Sequence, residues 1–171
     1  KESSANRMNT DNSSFSTLLD SISKQFNIKK SDIWKRQFLD LEKWLGERDL
    51  KVSLEKDCED IIEWGNDLIR INSKPKWENR YYALLHECGH IIVSENPENF
   101  EYNYPYYVDQ KDDRRKNSDA YRVSILGEEI ESWKLGRNLG DNILNHFINH
   151  KKFDRMMTEC VMSSSSVAQK T

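Results

Sequence analysis

The chain has 171 residues, 36% of them hydrophobic and 32% charged, with a net charge of −3 and a pI near 5.9. That length suffices for one domain with its own core, and the mildly acidic balance offers no general surface for nucleic acid. No stretch approaches the ~18–20 apolar residues of a membrane span, and no apolar signal-like core stands near the N-terminus, so no membrane partner is expected.

Cys58, Cys88 and Cys160 are odd in number and far apart. That is neither a disulfide framework nor a zinc-finger spacing, and it points to a reducing, cytoplasmic setting. The expected organisation is a flexible N-terminus over 1–12, one domain over 13–162 and a polar tail over 163–171, where Ser163-Ser164-Ser165-Ser166 begins.

Phe15, Leu18, Leu19, Ile22 and Phe26 recur at helical spacing and predict a helix over 14–26. Ser31-Asp32 is placed to cap a second, carrying Ile33, Trp34, Phe38, Leu41, Trp44 and Leu45 and ending near Gly46. Both read as scaffold. The period then changes. Leu50, Val52 and Leu54 alternate as a short strand, and residues 60–64 and 68–72 flank the turn Gly65-Asn66-Asp67 as a hairpin. The expected fold class is therefore α+β: mostly helical, with a small antiparallel sheet of about three strands. Such a sheet is either purely structural or offers an edge that holds an extended peptide.

Ser73-Lys74-Pro75 breaks the sheet and leads into a helix over about residues 76–93, which contains His86-Glu87-Cys88-Gly89-His90. The two histidines are four apart, so on a helix they stack on one face. Two imidazole nitrogens so placed can each reach one zinc ion at about 2.0–2.1 Å. Glu87 points about 100° round from His86. It need not bind the metal; it is placed to take a proton from a water that the metal acidifies. Trp77, Tyr81, Leu84, Leu85, Cys88 and Ile92 fall on the opposite arc and predict a packed face, with Ala83, His86 and His90 on the working face.

A catalytic zinc needs a third protein ligand. Residues 118–136 carry Val123, Leu126, Ile130 and Trp133 as a helical stripe, with Glu128, Glu129 and Glu131 competing for the role. Counted from Leu126, Glu129 lies about 60° away at the stripe's edge, and Glu128 and Glu131 lie about 160° and 140° away, toward solvent. Ser132 and Gly136 share Glu129's side and would let this helix approach the histidine helix closely. Glu129 is the preferred ligand and Glu128 the second candidate.

His-Glu-Cys-Gly-His followed by Glu129-x-x-Ser132 on a later helix resembles the gluzincin branch of zinc metallopeptidases. The layout over about residues 50–136 is most similar to small ImmA/IrrE-type metallopeptidase domains. Those commonly carry Ala-Asn or Ala-Asp where this chain has Ser132-Trp133; Glu-x-x-small-Trp also resembles phage-type relatives. No His-x-x-Gly-x-x-His extension follows His90, which separates the chain from the metzincins. The resemblance implies a zincin-like fold, a zinc ion held by His86, His90 and Glu129, Glu87 as general base, and a peptide or protein substrate. Manganese or iron would also suit a nitrogen and oxygen site. Two other readings remain: a metal-stabilised interaction domain that does not cut, and a regulator that cleaves one repressor-like target.

Residues 97–117 read as a long aromatic loop, in which a tyrosine could serve as an oxyanion donor without any spacing to single one out. The run Lys111-Asp112-Asp113-Arg114-Arg115-Lys116 reads as a solvated loop rather than a phosphate site. Asp141 predicts the start of a helix carrying Ile143, Leu144, Phe147 and Ile148. Phe153, Met156, Met157, Cys160 and Val161 form a further stripe read as core. His146 and His150 are again four apart and read as a surface pair, with a second metal site as the alternative.

Overall fold

The chain runs α1 (Arg7–Phe26), α2 (Lys30–Gly46), β1 (Lys51–Glu55), β2 (Ile61–Glu63), β3 (Leu68–Asn72), α3 (Trp77–Ser94), α4 (Pro97–Asn103), α5 (Asp119–Asn138), a π-helical turn (Leu139–Ile143) and α6 (His150–Val167). This computed structural model describes residues 7–107 and 118–167, with side chains over 16–107 and 118–163. The mixed-charge run Lys111–Lys116 lies outside the described residues. Among those residues, no helix is long and apolar enough to cross a membrane.

The class is α+β, as expected, but the sheet is mixed. Its order is β1-β3-β2. The 61–72 hairpin is antiparallel, with Ile62 opposite Ile69, whereas β1 pairs with β3 in parallel, Val52 opposite Ile69. Ile69 and Ile71 alternate with half-buried neighbours and are fully buried against the helices. Arg70, pointing the other way, meets Glu63 Oε1 at 2.6 Å. Because β3 sits in the middle, β2 is left as an edge.

Helix α3 is the axis of the molecule. Every residue from Tyr81 to Gly89 is buried, so the face that carries His86 lies nearly as deep as the apolar face behind it. One side packs on α2, where Trp34 lies 5.8 Å from Tyr81 and 5.6 Å from Tyr82, centroid to centroid. The other side packs on α5. There a Cβ on Gly89 would drive into the backbone carbonyl of Ser132, and a Cβ on Gly136 into the carbonyl of Leu85. The two helices touch backbone to backbone at two places, which a larger residue at either glycine would prevent.

Several local expectations change. Helix α1 begins at Arg7, within the stretch read as loose, and α6 continues to Val167, within the stretch read as tail. Residues 97–103 are helical because Pro97 sets the first turn and the Asn96 side chain accepts from the Asn99 N–H at 3.1 Å. No helix forms over 144–149. Phe147 gives its N–H to Gln37 Oε1 at 2.8 Å and its carbonyl accepts from Gln37 Nε2 at 3.0 Å. Asn149 N–H donates to Tyr82 Oη at 2.8 Å. Side chains of α2 and α3 thus take the backbone groups that a helix would have used.

Gly136→Ala is expected to destabilise by about 1–3 kcal/mol or more through overpacking at the crossing. Gly46→Ala, whose new Cβ meets nothing within 4 Å, is expected to be neutral or to stabilise by up to about 1 kcal/mol. Urea unfolding of the two variants beside the parent checks the contrast.

Candidate metal centre

The site is assembled by the α3–α5 crossing. Helical spacing stacks His86 and His90, and their Nε2 atoms lie 3.0 Å apart. From α5, Glu129 brings Oε2 to 3.3 Å from His86 Nε2 and Oε1 to 3.8 Å from His90 Nε2. An ion bound tetrahedrally at about 2.0–2.2 Å sets its donors roughly 3.3–3.5 Å from one another, and the separations of these four atoms, with Glu129 turning a different oxygen to each histidine, fall on either side of that spacing. Glu129 Oε2 is buried and makes no hydrogen bond of ordinary geometry. Two imidazole nitrogens and one carboxylate are a donor set for a divalent transition ion. The residues fit the group.

Glu128 does not point to solvent. It is 3% exposed, and its Oε1 accepts from His90 Nδ1 at 2.6 Å. The bond puts the ring proton on Nδ1 and leaves the Nε2 lone pair facing His86 and Glu129. Ser132 Oγ donates to the same carboxylate oxygen at 2.9 Å and stands 3.0 Å from His90 Nδ1. The buried row of α5 is Ser124, Glu128, Ser132 and Gly136, joined by Trp133. Val123, assigned to the apolar stripe, is 69% exposed. The inward face of α5 is small and polar because it meets the histidines and the α3 backbone, and hydrophobic periodicity could not reveal that.

His86 is held differently. Its Nδ1 is buried without a hydrogen-bond partner, and Trp133 stacks on its ring at 4.3 Å and 18°. Phe153 of α6 backs Trp133 edge-on at 5.0 Å. Trp133 thus packs the His86 ring by its face.

Burial pushes His86 below the ordinary imidazole range, against the pull of Glu129. Burial opposes the charge on His90 too, but the Glu128 hydrogen bond and the surrounding carboxylates lift it above that range. For Glu129, burial works upward and is outweighed by the close approach of the His86 and His90 imidazoles, so its carboxyl stays low. Glu87 is 5% exposed, and burial pushes its carboxyl up to about 7.

All four side chains line a cleft of about 1280 Å³. Its walls are the edge strand with Asp60, Ile61 and Ile62, the α4 region with Phe100 and Tyr107, and α6 with Met156 and Cys160. Tyr107 is the described tyrosine of 97–107 that faces the cleft; burial and the nearby Glu128 and Glu129 push its hydroxyl up to about 12. Met156 and Cys160, read as core, pack against its edge and also line the cleft. His146 and His150 are not brought together. His146 meets Tyr81 Oη at 3.0 Å and faces Asp40 at 3.6 Å, whereas His150 is exposed and faces Asp141 at 3.5 Å.

A scan against protein-family models, a search of curated proteins and a search of solved structures each return no match.

Loss of the carboxylate charge in Glu128→Gln is expected to weaken zinc binding by about 10–100-fold through misorientation of His90, measured by competition with a chromophoric chelator. Unchanged affinity would remove the orienting role. A second expectation concerns acid. Burial holds His146 below its ordinary range despite Asp40, so the unfolded chain binds the extra proton. Stability is then full above about pH 6.5 and falls as the pH drops through and below that value. His146→Gln should flatten part of this limb in urea titrations run across pH.

Proposed function

We propose that this chain is a zinc-dependent metallopeptidase of the gluzincin type. One observation supports the reading above the others: His86, His90, Glu129 and Glu87, from two helices, converge at the floor of one open cleft. In this reading the two Nε2 atoms and the Glu129 carboxylate hold the ion, and Glu128 orients His90. A divalent ion there supplies Lewis acidity, polarising a carbonyl and acidifying water.

The protein's own groups do the rest. Glu87, not itself a ligand, accepts a proton from the attacking water and passes it to the departing amine. The exchange suits a carboxyl pushed up to about 7, which both takes and gives a proton near neutrality. Strand β2 is an edge along the cleft wall, so an extended peptide can add its backbone there. Ile61 is 41% exposed and Ile62 buried, in keeping with alternate side chains meeting the peptide and the core. Tyr107 keeps its proton at neutral pH and is a donor available to a carbonyl oxygen. The substrate class is an unfolded or extended peptide segment of a protein, and cysteine usage suggests a reducing, cytoplasmic setting.

A second reading is a domain in which the ion serves stability and partner binding without cutting. It is favoured by a thiol, Cys160, close to where a fourth ligand would stand.

Glu87→Gln is expected to keep its zinc and to lose about 10²–10⁴-fold in hydrolysis of casein or a peptide library, while His86→Ala loses the zinc itself. Metal analysis and a cleavage assay on the same preparations test both. Unaltered cleavage by zinc-loaded Glu87→Gln would sink the mechanism; chelator-sensitive melting without cleavage of any substrate, in the parent and in Cys160→Ala alike, would favour the second reading.

A further inference from the structure

Cys160 projects from α6 into the same cleft. One ligand atom each from His86, Glu129 and Cys160 lies within 4.8 Å of the other two. The same limit holds among His90, Glu128 and Glu129. Glu129 is common to both groups, and His86 Nε2 lies 3.0 Å from His90 Nε2. The thiol therefore stands beside the His86–Glu129 side of the donor set. Its position is fixed from behind, because α6 also supplies Phe153, which packs on Trp133, which in turn stacks on His86. Cys58 also lines the cleft and approaches the Glu55 carbonyl at 3.6 Å. Cys88 is fully buried in α3.

We propose that Cys160 is a fourth protein ligand, so that the resting centre is His86, His90, Glu129 and Cys160. This rests on the reading that His86, His90 and Glu129 hold a divalent ion. As the sulfur–metal bond forms, the Sγ proton passes to solvent, and the sulfur then takes the position that a water would need. Four protein ligands make a closed site, and three plus water make a catalytic one. The thiolate therefore keeps the centre latent. Peptide hydrolysis requires Cys160 to leave the metal, by reprotonation and a shift of α6 or by capture with a thiol-modifying reagent.

The test uses the full chain, reduced, freed of metal and loaded with cobalt(II) under inert gas. The parent is expected to show the visible bands of a tetrahedral cobalt site together with an intense near-ultraviolet sulfur-to-cobalt charge-transfer band. Cys160→Ser and Cys160→Ala should each lose the charge-transfer band and keep the visible bands, which also shows that they fold. Their cobalt affinity should fall by at least about tenfold, the lower limit typical for losing even a residue that only hydrogen-bonds a ligand. In Cys58→Ala the charge-transfer band should persist.

Visible bands without charge transfer in the parent would overturn the proposal and leave the three-residue centre standing. A charge-transfer band that survives in Cys160→Ala would overturn it as well. A parent that binds no more cobalt than His86→Ala would overturn the three-residue centre itself, and the proposal with it.

Discussion

The backbone contact between α3 and α5 is the constraint on which the rest of the structure depends. Gly89 lies against the Ser132 carbonyl and Gly136 against the Leu85 carbonyl. With no side chains between them, the helices come close enough for short acidic side chains of α5 to reach imidazoles of α3. Glu128 and Glu129, adjacent in sequence, then diverge by about 100° to serve two atoms of the same cluster: one meets His90 Nδ1 and the other meets the Nε2 pair. Beside His86, Glu87 and His90, the residue of the His-Glu-Cys-Gly-His motif that matters is therefore its glycine, and its importance lies in packing.

That crossing draws three carboxylates and two imidazoles into a largely buried space. Like charges so close oppose one another, and burial adds to the cost. Glu87 responds by holding its proton more tightly, while His90 gains cationic character from Glu128. The imbalance is anionic, and a divalent ion among the Nε2 atoms and Glu129 would offset it. This charge balance supports the proposed metal centre, since a packed core of the same shape would have no need for so many acids.

Much of this was legible in the sequence. The strands over 51–55, 61–63 and 68–72, the histidine helix and the convergence of Glu129 with His86 and His90 follow from period, turn residues and spacing. Most of what was not legible has one physical origin: hydrophobicity alone does not fix which face of a helix turns inward. On α5 the inward row is Ser124, Glu128, Ser132 and Gly136, so the apolar stripe pointed the wrong way and Glu128 was sent to solvent. On α6 the same logic placed Met156 and Cys160 in the core, although they pack against its edge and also line the cleft. The failed helix at 144–149 reflects a different omission, because Gln37 and Tyr82 are more than 60 residues away in the chain and no local window contains their competing hydrogen bonds.

The two imidazoles are secured by opposite means, and this bears on how the centre would change state. His90 is held within the α3–α5 pair by Glu128 and Ser132, so it moves only if the crossing moves. His86 has no such hydrogen bond; its ring is held by Trp133, and Trp133 by Phe153 of α6. Helix α6 carries Cys160 two turns further on. A displacement of α6 would thus relax the support of His86 and withdraw the sulfur in a single motion, while Glu128, His90 and Glu129 stay in place. In the proposed centre, the element that decides between a closed and an open metal is the one that contributes least to the motif by which the site was found.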